Sequence, residues 1–192
     1  LCYTQVTSDD QDGENGLAAH FIGKDFAGRK TSKISLWAFA ASRVIDYLKT
    51  LEPLKNLPVV LIGHSRLGKT ALWCSANDPR VDVCYANESG CTGAALSRGK
   101  QGETVADIYR VFPHWFVPAY ERYAGREASM PFDQHFLLAL TAPRPLYCAS
   151  AIEDLWAWPK NEFLGLCAAS PAFDRGFAFS PDSPWQREFE ES

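Results

Sequence analysis

The chain has 192 residues, 46% hydrophobic and 22% charged, with a formal net charge of -4 at pH 7. That length fits one domain with a sizeable core and leaves no room for two. The acidic balance argues against a nucleic-acid partner, and no stretch nears the about 18 apolar residues that cross a bilayer, so no membrane is expected either.

Residues 1–6 read as a strand, and residues 7–34, rich in Asp, Gly, Asn and Lys without periodicity, as a long surface loop. Trp37, Phe39–Ala41, Val44–Ile45 and Leu48 recur at helical spacing and predict a helix over 35–51, with Ser35 as its N-cap. The apolar run 59–62, bounded by Pro58 and Gly63, is too short for a helix and reads as a central parallel strand. A second helix starts at Arg66 and presents Leu67, Thr70, Ala71 and Trp73–Cys74 at helical spacing. Residues 81–88 alternate like a strand. The aromatic-rich segment 104–124 is helical or irregular, broken by Pro113 and Pro118. A short helix over 136–140, a strand over 143–151 after a proline turn and a helix over 161–169 stopped by Pro171 complete the order. Strands alternating with helices predict an α/β fold with a mainly parallel sheet.

The start at Leu1, inside a strand pattern, and the charged end over 185–192 lead us to expect a segment of a longer protein. The six cysteines (Cys2, Cys74, Cys84, Cys91, Cys148, Cys167) show no C-x-x-C spacing, which argues against zinc or thioredoxin chemistry. Cys84 and Cys148 fall in strand patterns and read as core. Cys91, in a Gly-rich loop, is open to pairing in an oxidising compartment.

Gly63-His64-Ser65-Arg66-Leu67-Gly68 runs a strand through a tight turn into a helix. A serine hydroxyl is a poor nucleophile unless raised on such a turn, beside a base and above a helix N-terminus, so Ser65 is the candidate nucleophile. The usual G-x-S-x-G pattern places its second glycine at 67; here it arrives at Gly68. In open α/β sheets the chemistry collects at the carboxyl ends of strands. One strand end delivers Glu88 and another Glu153-Asp154, acids that can orient a histidine, and the residues alone leave both ends open. The histidines are His20, His64, His114 and His135. None fits the base of an α/β-hydrolase, which ordinarily follows the acid near the chain end. His64 points away on the turn, His114 reads as a core histidine, and His135 reads as hydrogen-bonded at a helix start.

Gly63 to Lys69, Asn87-Glu88-Ser89-Gly90-Cys91, Gly93-Ala94-Ala95-Leu96-Ser97-Arg98, Gly102-Glu103-Thr104-Val105, Phe112-Pro113-His114-Trp115-Phe116, Asp133-Gln134-His135 and Ala142-Pro143-Arg144-Pro145 through Glu153-Asp154-Leu155-Trp156 resemble bacterial glucuronoyl esterases, the fifteenth carbohydrate esterase family. The resemblance runs in order over residues 1–173. It implies an α/β-hydrolase fold, a three-layer sandwich incomplete at both ends, as a single partial domain over 1–192 with a divergent tail over 174–192. It implies Ser65 as nucleophile, Glu88 as acid, Asp154 as a second acidic position and Arg66 as oxyanion stabiliser. Lys69, Glu103 and Trp156 would bind the glucuronate ring; by themselves they read as a helix-surface lysine, a capping glutamate and a core tryptophan. The implied reaction cleaves esters joining 4-O-methyl-glucuronic acid of glucuronoxylan to lignin alcohols, without cofactor or metal, in a secreted or periplasmic enzyme. The family's catalytic histidine sits in a Gly-Gly-His type segment after the Glu-Asp-Leu-Trp motif, and this sequence has none. Two rivals follow: an acetyl xylan esterase of the same fold, and a non-catalytic sugar-binding remnant. No oligomeric state is implied.

Overall fold

The computed structural model describes residues 25–26, 29–99 and 101–173. It opens on a short antiparallel pair, β1 (Asp25–Phe26) and β2 (Arg29–Lys30), with Asp25 opposite Lys30 and Phe26 opposite Arg29. The loop expected over 7–34 therefore contains paired backbone. The strand expected over 1–6 and the tail 174–192 lie outside the described residues.

Helix α1 (Lys33–Thr50) is capped by Ser32, not Ser35. Ser32 has the extended backbone a cap requires (φ −114, ψ 161), and its Oγ accepts from the Ser35 N–H at 3.3 Å. Ser35 is already helical, so the register of the cap shifts by three residues. Ile34, Trp37, Ala38, Ala41 and Ile45 turn inward at helical spacing. Lys33 is also buried, its ammonium 5.8 Å from the Trp37 ring centroid.

Strands β3 (Val60–His64), β4 (Val83–Asn87) and β5 (Leu146–Ala149) form a parallel sheet in that order, with helix α2 (Arg66–Asn77) linking the first two. In register, Ile62 lies beside Tyr85 and Tyr85 beside Tyr147. Alternation then separates two faces. Leu61, Cys84, Ala86, Leu146 and Cys148 face a core completed by Ala71 and Leu72 of α2 and by Leu138 and Ala169 of later helices. The opposite face carries Val60, Ile62 and Tyr147, all exposed, with the Tyr85 and Tyr147 rings 4.6 Å apart. An apolar run marks β3 as a strand meant for cover on both sides. Among the described residues, however, it is an edge strand paired only with β4, and Ile62 is 67% exposed.

Helix α3 (Val105–Val111) begins in a capping box, in which Thr104 Oγ1 accepts from the Asp107 N–H and the Asp107 carboxylate accepts from the Thr104 N–H. Pro113 and Pro118 each open a 3-10 segment, Pro113–Trp115 and Pro118–Tyr123. These fold the aromatic run onto α1, with Phe112 stacked on Trp115 at 3.9 Å and Trp115 edge-on to Trp37 at 6.2 Å. Helix α4 (Gln134–Ala139) starts two residues earlier than its apolar pattern suggests, because Asp133 caps it: Oδ1 accepts from the Gln134 N–H at 2.7 Å. Helix α5 (Pro159–Ala169) likewise starts two residues early, with proline at its first position, where a missing N–H costs nothing.

The far end of α2 is tied to α1 by one ionic cluster. Asp78 accepts from Ser42 Oγ at 2.6 Å and from Arg80 Nε and Nη2 at 2.9 and 2.6 Å, and Arg80 Nη1 reaches Asp46 Oδ1 at 2.5 Å. The Arg80 hydrogen bonds hold the Asp78 carboxyl well below the usual carboxylate range. A depressed folded-state pKa adds stability that is complete above the unfolded value and lost as pH falls below it. The urea midpoint is therefore expected to drop from about pH 5 to about pH 3, and D78N should lower the midpoint at pH 7 while flattening that slope; an unchanged slope in D78N would assign the acid sensitivity elsewhere.

Candidate active site

One residue, Ser65, separates β3 from α2, and it stands at φ 54, ψ −122. A positive φ in a non-glycine residue is strained and persists only where its surroundings over-determine it. Here its N–H donates to Asn87 O at 2.9 Å, and its carbonyl accepts from the Lys69 N–H at 3.1 Å. Serine before a helix ordinarily caps it, yet the Ser65 hydroxyl makes no cap bond. That removes the ordinary structural reason for a serine at this turn.

The spacing of the glycines has a steric cause. A Cβ on Gly63 would lie 1.9 Å from Leu67 O, inside any tolerable contact, so β3 and the first turn of α2 touch backbone to backbone. A Cβ on Gly68 would meet Asn87 O and Ser89 Cβ, each at 3.1 Å. Position 68, not 67, faces the end of β4. Leu67 instead turns toward the aromatic cluster under α1, which is why the second glycine sits one residue late.

Arg66 opens α2, where backbone N–H groups lack helical acceptors and the helix dipole is positive. Lys69 follows one turn on and is no surface lysine: it is 5% exposed, and its Nζ donates to Ser89 O at 2.5 Å. Burial pulls its pKa below the usual lysine value, and the charges of Glu103, Cys91 and Glu162 oppose that pull. Glu103 is not the cap of α3, since Thr104 is. Its N–H donates to Trp156 O at 2.9 Å, and the approach is close enough that a Cβ on Gly102 (φ 71) would lie 2.3 Å from Leu155 O. Trp156 is 58% exposed and so no core residue. Thus the loop at 102–104 joins Glu103 to the Trp156 stretch, and the charge of Glu103 is felt at Lys69.

The two acids differ in what they do. Glu88 directly follows β4 at φ 45; its N–H donates to Ala149 O at 2.7 Å, its Oε1 accepts from the Ala151 N–H at 2.8 Å, and its Oε2 lies 3.9 Å from His64 Nδ1. Its carboxylate therefore bridges the ends of neighbouring strands. Asp154 Oδ1 accepts from the N–H groups of Trp156 and Ala157 at 3.1 and 2.9 Å, an Asx-type turn that presents Trp156. His64 closes β3, exposed, with Nδ1 2.7 Å from Asn87 Nδ2. His114 lies edge-on to Phe112 at 6.4 Å. His135 sits inside α4, ring 4.4 Å from Phe136, and Asp133 rather than His135 makes the helix-start bond. Its Nδ1 is buried with no hydrogen-bond partner among the described residues. His20 lies outside them, and among them no histidine bonds the Ser65 hydroxyl. Cys91, like the other described cysteines, is a free thiol.

One participant was hidden from sequence reasoning. Glu162, in the first turn of α5, is 1% exposed and accepts from Ser89 Oγ at 2.9 Å, Gly90 N–H at 2.8 Å and Ser150 Oγ at 2.5 Å. An acid in a first helical turn reads as a solvated residue favoured by the helix dipole. Nothing in its local pattern signals burial.

Comparison with known proteins bears on this geometry. The sequence profile of the family described as glucuronyl esterase, fungi, matches residues 3–175. A carbohydrate esterase from an unknown prokaryotic organism is 44% identical over 162 residues, covering 83% of this chain and 38% of that protein. The solved structure of a promiscuous esterase of carbohydrate esterase family 15 from a marine bacterial metagenome superposes with a TM-score of 0.79 at 42% identity, covering 88% of this chain and 43% of its own. A glucuronoyl esterase mutant from Sporotrichum thermophile, solved in complex with methyl 4-O-methyl-β-D-glucopyranuronate, superposes with a TM-score of 0.65 at 28% identity over 76% of this chain and 42% of its own. The chain thus spans about two fifths of the length of the relatives it matches.

The steric argument at the elbow predicts an order of effects. Gly63→Ala should cost more than about 4 kcal/mol, since backbone must move, whereas Gly68→Ala, with contacts that neighbours can relieve by small shifts, should cost about 1–3 kcal/mol. Chemical denaturation of both variants checks this, and equal losses would refute it.

Proposed function

Because the chain belongs to the glucuronoyl esterase family, carbohydrate esterase family 15, we propose that Ser65 is the nucleophile of a serine esterase that cleaves 4-O-methyl-glucuronoyl esters between glucuronoxylan and lignin alcohols. In this reading Ser65 Oγ attacks the ester carbonyl carbon as its proton passes to a histidine base, giving a tetrahedral oxyanion. The Arg66 N–H and guanidinium stabilise that oxyanion at the positive end of α2. Collapse expels the lignin alcohol, which takes up the proton, and leaves an acyl-serine; water, deprotonated by the same base, then releases the uronic acid. Glu88 is the acid that orients the base, and Asp154 is the second acidic position, which also shapes the turn carrying Trp156. Lys69, Glu103 and the exposed Trp156 take the uronate ring through charge, hydrogen bonds and an aromatic face. None of these steps draws on a metal or an organic cofactor. The polymer substrate puts the enzyme outside the cytoplasm, secreted or periplasmic.

The observation that carries the reading is Ser65 held at positive φ without a capping role, one turn from a buried lysine. The ligand seen in the Sporotrichum thermophile relative supports the substrate class. A second reading, sugar binding without turnover, draws on the lack of any described histidine bonded to Ser65. Hydrolysis of benzyl glucuronate separates the two. Serine-dependent turnover, reduced about a thousandfold or more by Ser65→Ala, supports the esterase; glucuronoxylan binding with no such turnover supports the second. Lys69→Met should cut uronate-ester turnover by about tenfold or more and leave acetyl esters nearly untouched. The reverse preference would make the protein an acetyl xylan esterase.

A further inference from the structure

A buried polar junction centred on Glu162 adjoins the site. Glu162 reaches from α5 to the tails of two strands, binding Ser89 and Gly90 after β4 and Ser150 after β5. The junction continues through the residues it holds. Ser89 Oγ accepts from the Ala94 N–H at 2.9 Å, and Ser89 O accepts from Lys69 Nζ. Glu88 directly precedes Ser89, and its carboxylate is held by the N–H of Ala151, directly after Ser150. Of the strand tails bonded to Glu162, one is thus a residue from Glu88 and seats Lys69, and the other is a residue from the N–H that holds the Glu88 carboxylate.

Three features point to positioning rather than generic packing. The carboxylate satisfies three donors from two strand tails, while a helix-surface acid would satisfy water. Its burial carries a desolvation cost that a hydrophobic residue at this place would avoid. Its charge, with that of Glu103, opposes the lowering of the Lys69 pKa by burial, against Arg66. An anion that binds both strand tails and supports the buried cation couples the acid half of the site to the sugar-binding half.

We propose that Glu162 is a positioning residue, whose buried carboxylate holds the β4 and β5 tails so that Glu88 is aimed and Lys69 is seated. The proposal rests on the reading of Glu88 and Lys69 as site groups. It does not touch substrate or the reacting atoms.

The test reads amide hydrogen exchange residue by residue in the full 192-residue chain, with methyl glucuronate affinity measured alongside. The informative amide is Ala151, which bonds Glu88 and not Glu162. Glu162→Ala should speed Ala151 exchange by about tenfold or more, leave the Ile45 amide of α1 unchanged, and weaken methyl glucuronate binding by about tenfold. Glu162→Gln, which keeps the shape and one acceptor oxygen, should hold Ala151 exchange within about threefold of the parent while still weakening binding. If Glu162→Ala fails to fold, Ser150→Ala, which removes a single bond, should speed Ala151 exchange severalfold with α1 unaffected. Unchanged Ala151 exchange in Glu162→Ala, or in Ser150→Ala where that variant is read instead, overturns the proposal, as does an equal acceleration at Ile45, which would mark a merely structural residue. If the parent chain does not bind methyl glucuronate, the reading of the sugar site fails, and the exchange arm still decides the role of Glu162.

Discussion

The backbone contact between Gly63 and Leu67 is the constraint on which the rest of the site depends. With no room for a Cβ at position 63, the chain turns from β3 into α2 within a single residue, and that residue is driven to positive φ. The turn lifts Ser65 clear of both elements and leaves its hydroxyl out of the helix cap. It also points the N-terminus of α2, whose first N–H groups have no acceptor within the helix, at the same place. Strain at one residue is held by packing at its neighbours, and the β4 tail supplies the bonds that hold it, through Asn87 O to the Ser65 N–H.

A second constraint is electrostatic. Lys69 and Glu162 are both nearly inaccessible, and each burial alone would favour the neutral form. Ser89 stands between them, its carbonyl on the lysine and its hydroxyl on the glutamate. Hydrogen bonds from Ser150, Gly90 and Ser89 and the charge of Lys69 all favour the carboxylate against its desolvation. A network satisfied at each atom rigidifies the chain around it. That rigidity is useful at strand ends, which would otherwise behave as free loops, and here it lies directly under Glu88.

The elements were legible where local chemistry alone decides them. The elbow, α2, β4 and β5 follow from apolar runs, turns and helical spacing that need no distant partner. The errors fall where two local signals compete. Ser32 and Ser35 are both good caps, and only the extended backbone at Ser32 separates them. His135 reads as a helix-start hydrogen-bonding residue, but Asp133 takes that role and places His135 inside α4. The bland readings of Lys69 and Trp156 failed because exposure is set by what packs against a residue, often from far along the chain, and that of Glu103 failed because its neighbour Thr104 takes the cap. The same holds for β3, whose apolar run speaks of two covered faces while its neighbours among the described residues cover one.

The amino-acid sequence by itself determined the strand–Ser65–helix turn, the parallel strand and helix order, and, through its ordered motifs, the family. Each of these is written in short stretches whose physics is local: a glycine where a Cβ cannot fit, an apolar run too short for a helix, a serine ahead of a helix start. Tertiary structure alone decided that Lys69 is buried, that Glu88 bridges strand ends while Asp154 builds a turn, and that Glu162 is buried and bonded to the tails of β4 and β5. Burial and hydrogen bonding between residues 12 to 73 positions apart depend on how the strands and helices close on one another, and no local pattern of side chains carries that information.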